Sequence, residues 1–397
     1  MTTRRNVLML AGSALVLSGC RESAPAVAAT AAPDRLLAES ERGLLRLGPF
    51  GEQVLGAAVA GFDGAHVFRS HDGGLEQIRP DTGLTLRRTP LTDGWLPRVV
   101  ATDGRACALS RSGASDRPAA RARTPLLVVG PDGEKEYDLP GVIEPDAFTA
   151  DGTGLFVLDW LPATAPDHYR VRLLDLAGGE IRPLFTRDKT PVPAGAEEEM
   201  RGDGRQAVLS ADRKMLFTLY THQPGHRHTR DLLSGRPGGA HAFVHVLHLA
   251  EGWAYCLDLP HPFGEGPVAG HALAADDRHL FVADVNSGKL AWADPDSLSI
   301  ERVVDVPATT GATAALAVTT DDRVLLGAGR TVTVLDRASG GATGSWTVPG
   351  PVRGLVPSRD GSRLYAGGPD RLTWLSRTGA VIGWAPVPGL AALRHVV

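Results

Sequence analysis

Residues 315–350 read ALAVTTDDRVLLGAGRTVTVLDRASGGATGSWTVPG, and this stretch decides the fold. An apolar segment (315–318) runs into a turn at Asp321 and Asp322, and a second apolar segment (324–327) follows. Residues 331–335 alternate polar and apolar side chains with the period of two expected of a half-buried strand. Turns rich in Asp, Ser and Gly come next, where Asp side chains close on their own backbone and glycine accepts positive φ. The segment GATGSWTVPG (341–350) then supplies a fourth strand. The unit is an antiparallel meander of four strands.

Its first half recurs along the chain. GAAVAGFDGAHVF (56–68), RVVATDGRACAL (98–109), DAFTADGTGLFVL (146–158), AVLSADRKMLFTL (207–219), HALAADDRHLFVA (271–283) and GLVPSRDGSRLYA (354–366) repeat the strand–turn–strand pattern. With the first example, the turn aspartates are Asp63, Asp103, Asp151, Asp212, Asp276, Asp321 and Asp360. One small sheet cannot bury both its faces, whereas sheets packed radially bury them all. The expectation is an all-β, seven-bladed β-propeller of four-stranded antiparallel blades. Eight blades is the alternative, if residues 35–52 contribute more than a flanking strand. Residues 390–397 read as a further strand able to pair with the first blade and close the ring, which removes an open edge; residues 42–47 could serve similarly. The units resemble the blades of the bacterial extracytoplasmic propellers of the YVTN and TolB-like kind over about residues 50–397. The Trp-Asp ending of WD40 blades is missing.

Composition agrees with many short strands and turns. The 397 residues include Gly 47 and Pro 29, with 43% hydrophobic and 22% charged side chains. These values exclude wholesale disorder and a multi-span membrane protein. Lys and Arg number 41 against 45 Asp and Glu, a net charge of -4, and no basic stripe offers itself to phosphates. Nucleic acid is therefore not an expected partner.

The first residues read as a leader rather than as part of the fold. Arg4 and Arg5 precede an apolar run that is too short to span as a mature helix. Leu17-Ser18-Gly19-Cys20 resembles the bacterial lipobox, and residues 3–8 resemble a twin-arginine export signal. The resemblance implies a signal peptide over 1–19, a thioether-linked lipid on Cys20 and a location on the outer face of the cell membrane. Residues 20–34, rich in Ala and Pro, read as a flexible tether, with a single propeller domain over 35–397. Cys107 and Cys256, the remaining cysteines, read as buried free thiols.

The surplus length is concentrated. Insertions at 111–123, 161–168 and 221–240, and links at 186–205 and 260–270, all fall on one rim if each unit is a meander. Loops held by a rigid frame are where binding resides, so a protein or small-molecule ligand is expected on that rim. Eight of the 13 histidines lie between 222 and 271. His222, His226 and His228 are the candidate metal ligands: His226 and His228 can face one side of an extended loop, and Glu197, Glu198 and Glu199 on the preceding link can supply an oxygen. Zinc is the cofactor such donors suggest, in broad resemblance to the periplasmic zinc-chaperone propellers. His241, His245 and His248 read as strand or rim residues. No His-Glu-x-x-His, Gly-x-Ser-x-Gly or phosphate loop occurs, so no catalytic residue is assigned. Asp159, Asp258 and Asp284 are the acids a lactonase or glycan hydrolase centred on the channel would draw upon. The leading expectation is a lipid-anchored binding or scaffold module; a zinc-binding or metal-delivery propeller is the alternative.

Overall fold

The structure, a computed structural model, describes residues 28–397 apart from 93, 114, 116 and 202–204. Its described strands form eight four-stranded antiparallel sheets. Seven are the expected meanders, each contiguous in the chain, from Ala58–Pro90 (blade one) to Gly354–Pro386 (blade seven). The eighth is built from both ends: Leu390–Val396 lies innermost, followed by Leu36–Ser40, Gly43–Gly48 and Gly51–Gly56.

The expected count of seven is thus corrected to eight. The repeat was recognised by the turn that joins the first and second strands of a blade. In the eighth blade these two strands are the C-terminal and N-terminal ones, so no such turn exists. The 390–397 strand does close the ring, by antiparallel pairing of Leu36 with Val396 through Ser40 with Leu390.

The recurring aspartates are explained by local hydrogen bonding. Asp63, Asp103, Asp151, Asp212, Asp276 and Asp360 each accept a backbone N–H from two residues on, at 2.8–3.1 Å. In four blades a Ser or Thr two residues upstream also donates its hydroxyl to the turn aspartate, at 2.6–2.7 Å. These side chains satisfy the amides that a tight turn leaves unpaired.

Eight apolar clusters hold the ring, one between each pair of neighbouring blades. Strand alternation distributes them. Leu36 and Ala38 face blade seven, while Leu37 between them faces blade one. Trp160 and Trp292, both buried, join such clusters and are core residues. Ahead of the first strand, Ala29 bridges Trp384, Ala32 is buried, and the Tyr365 hydroxyl donates to Asp34 at 2.6 Å. No helix among the described residues is long and apolar enough to cross a membrane.

The closing strand also carries a titrating group. His395 lies over the blade-one turn at Gly64, whose φ of 68° and lack of a Cβ leave room for the ring. Burial, reinforced by Arg394, pushes His395 down to about 4. Between pH of about 6.5 and 4 the unfolded chain takes up a proton that the folded chain refuses, so stability is complete above that window and is lost as pH falls through it. The urea midpoint should therefore drop between pH 7 and pH 5, and His395→Gln should flatten that slope; an unchanged slope would contradict the assignment.

Candidate metal centre

Within each blade the strands alternate in direction, so second-to-third-strand loops and blade-to-blade links emerge on the same rim. The three insertions and two long links share it, and they knit together. Arg121 N–H donates to the Ala163 carbonyl at 3.3 Å, Tyr169 and Met200 form a bridge, and His222 Nε2 donates to the Gly266 carbonyl at 2.7 Å.

The three glutamates at 197–199 in the 186–205 link take different partners. Glu197, buried, takes a bidentate hydrogen bond from Arg172 at 2.6 and 2.8 Å, and exposed Glu199 pairs with Arg170. Glu198 reaches His228 and Cys256. Its Oε1 accepts the Thr229 N–H at 2.8 Å, and its Oε2 accepts the Cys256 thiol at 2.9 Å. His228 Nδ1 stands 3.5 Å from the same Oε2. One donor atom from each of Glu198, His228 and Cys256 lies within 4.8 Å of the other two.

Each side chain is placed by its neighbours. Cys256 sits on the outermost strand of blade four, Ala254–Asp258, opposite His245. Asp258, two residues on, shares its strand face and takes His228 Nε2 at 2.5 Å, which leaves Nδ1 turned toward Glu198. Arg230 pairs with the other oxygen of Asp258 and donates to the Cys256 carbonyl at 2.7 Å. His228 precedes a short helix, Thr229–Ser234, and its N–H is capped by Asp231 at 3.2 Å.

Of the three expected histidines, the structure brings two together. His226 and His228 lie on one side of the extended loop with ring centroids 4.7 Å apart, and both pack on Phe243. His226 is buried, and its Nε2, 3.6 Å from Glu198 Oε2, has no hydrogen-bond partner. His222 is elsewhere: its backbone has φ of 58°, its Nδ1 meets Thr221 Oγ1, and its ring neighbours are His241 and His271. The link glutamate proposed as an oxygen donor is Glu198. Cys256, the third member of the cluster, is not among the expected donors, because a buried thiol between Tyr255 and Leu257 reads as core; its alternation with Asp258 is the one available signal. Of the three acids considered for catalysis, Asp258 orients His228, Asp284 stands 3.4 Å from His271, and Asp159 stands 3.4 Å from Arg172.

The electrostatics are those of a buried charge cluster. Burial works to raise the Glu198 carboxyl, but the imidazoles of His226 and His228 facing it hold it well below the usual carboxylate range. Burial likewise opposes charge on His228, yet the Asp258 and Glu198 carboxylates push it up to about 9. Burial first, then the Glu198 charge, keeps the Cys256 thiol well above its ordinary value. Buried His245 is pushed down to about 4.

A tetrahedral zinc ion with Zn–N and Zn–O bonds of about 2.0–2.1 Å and a Zn–S bond of about 2.3 Å separates its ligands by roughly 3.3–3.7 Å. The Glu198 separation of 3.5 Å to His228 lies within this range, that of 2.9 Å to Cys256 lies below it, and the thiol and imidazole lie within 4.8 Å of each other. Glu198, His228 and Cys256 form a cluster able to coordinate a metal ion, and their S, N and O donors suit zinc. A cavity of about 400 Å³ opens against them, and a second, polar one of about 320 Å³ reaches His226 from the other side of the link.

No family profile matches the chain, and no curated protein does. Solved structures do. Apo AztD from Citrobacter koseri is 12% identical, covering 90% of this chain and 95% of that one with a TM-score of 0.53. A further crystal structure of Citrobacter koseri AztD is 11% identical over 89% and 96% of the two chains, with a TM-score of 0.50. The dihydro-heme d1 dehydrogenase NirN in complex with DHE is 13% identical over 94% and 77%, again with a TM-score of 0.50. The likeness is one of fold. At such identities it transfers no residue and no activity, so the reading of the site rests on its own geometry.

Proposed function

We propose that this propeller is a metal-binding module that holds one zinc ion at Glu198, His228 and Cys256, without chemistry of its own. The observation that carries the reading is the convergence of three ligand types on one buried point, with Asp258 orienting the imidazole from behind. A thiolate and a carboxylate together match a divalent charge, which suits a poorly hydrated site. Calcium and magnesium prefer six or more oxygens and are excluded by the same donor set. Under this reading the Cys20 lipid would fix the protein to the outer face of the cell membrane, and the rim above the site would meet a ligand or partner protein. The scaffold reading keeps the rim and leaves the buried cluster without a role.

The test is zinc content of tag-free full-length protein, loaded and then dialysed against a weak chelator. One ion per chain is expected; none would sink the proposal. Asp258→Asn should retain the ion but bind it about 10- to 100-fold more weakly, the usual cost of losing the carboxylate behind a ligating histidine, as read by competition with a chromogenic chelator.

A further inference from the structure

Resting on that metal reading, we infer that the ion's remaining coordination position belongs to a small organic ligand, with an apolar body and an anionic metal-coordinating head, held in the cavity of about 400 Å³. Glu198, His228 and Cys256 all line this cavity. Three protein donors on its wall would leave a tetrahedral ion one position short, for which the cavity and the unpartnered His226 Nε2, 3.6 Å from Glu198, compete.

The cavity's walls distinguish an organic ligand from water. Val171, Leu184, Phe185, Met200 and Tyr255 line it, and apolar walls hold water poorly. Its volume falls within the range of about 300–1,000 Å³ typical of small-molecule sites. The neighbouring polar cavity offers the contrast, since beyond Glu197, which lines both, it is walled by His168, Glu199, Arg201 and Gln223, as a chamber for a hydrated ion would be. His226 opens into that polar chamber, whereas it is not among the residues of the apolar one.

The mouth carries charges of both signs. Arg187 and Arg230 lie 5.8 and 5.6 Å from the Tyr255 ring. Asp188 and Glu197 line the same cavity as Glu198, with Glu197 held by Arg172 and Arg230 paired with Asp258. Leu233, 52% exposed on the short helix, overhangs the opening and adds apolar surface that the folded chain itself does not cover. Ligand head toward the ion and apolar body toward Phe185 and Tyr255 is the orientation this arrangement selects.

Benzohydroxamate, an aromatic body with an anionic chelating head, is a suitable probe. It would be titrated calorimetrically into zinc-loaded and zinc-stripped full-length protein, with zinc content measured before and after. We expect binding at least about tenfold tighter to the loaded form, and a loss of at least tenfold in Ala254→Phe, which narrows the cavity two residues from Cys256 while keeping one zinc. If Ala254→Phe fails to hold zinc, Leu233→Glu at the exposed mouth takes its place. A chain that keeps one zinc but binds the probe equally with and without it, or not at all, would overturn the inference while leaving the metal reading intact; His226 would then be the donor that completes the ion. A chain that takes up no zinc would overturn both, and the metal measurement separates the two cases.

Discussion

Cys256→Ser should lower zinc affinity by two to three orders of magnitude while leaving the fold intact. Four-ligand structural zinc sites bind with about 10–16 kcal/mol, so one ligand carries roughly 3–4 kcal/mol, and each 1.4 kcal/mol is a decade. Serine preserves the local hydrogen bonding, since its hydroxyl can donate to Glu198 as the thiol does. It does not preserve the thiolate, and that separates a metal ligand from a packing residue. Adding His228→Ala should abolish stoichiometric zinc. Two controls bracket the result. Cys107→Ser alters a buried thiol in the blade-one to blade-two core, far from the cluster, and should leave affinity unchanged. His222→Ala should do the same, because its ring is held by Thr221 and the Gly266 carbonyl. Equal zinc content in the wild type and the double variant would return the cluster to a structural role.

The architecture was legible because it is written in short-range signals. A turn aspartate accepting the amide two residues on, flanked by period-two strands, needs only about a dozen residues to show itself. Seven blades carry the turn aspartate, and in six of them it makes that hydrogen bond. The eighth lacks it for a covalent reason: Leu390 and Ser40 are register partners from opposite ends of the chain. The crowding of long loops on one rim was readable too, since strand alternation follows from counting.

The site was legible only in part. His226 and His228 are an i, i+2 pair on one extended segment, and their shared side follows from local geometry. Glu198 comes from a link 30 residues away and Cys256 from a strand beyond the loop. Which glutamate of 197–199 meets His228 and Cys256 depends on Arg170 and Arg172 claiming its neighbours. That choice is tertiary, and no spacing encodes it. His222 failed for a related reason, since its left-handed backbone turns the ring toward the next blade.

Deletion of residues 390–397 should leave the chain unable to fold to a soluble monomer. The segment is the innermost strand of blade eight, and Leu36–Ser40 would be left with an unpaired edge where five residue pairs now meet. Leu390 and Leu393 would leave the core between blades seven and eight, where they pack with Tyr365 and Trp374. The fit there is close: a Cβ on Gly354 would stand 2.9 Å from the Leu393 backbone nitrogen, so blade seven receives this strand at glycine distance. Truncating a buried leucine costs about 2–5 kcal/mol. Two such losses and an opened edge approach or exceed the whole stability of about 5–15 kcal/mol typical of a folded protein. Finer substitutions read the same contact without removing it. Leu393→Ala should lower stability by about 2–5 kcal/mol in urea melts, whereas Arg394→Ala, whose half-exposed side chain pairs with Glu39, should cost at most about 1 kcal/mol. A truncated chain that eluted as a monomer and melted with the full-length protein would mean that the ring is closed by some other contact than the one between its two ends.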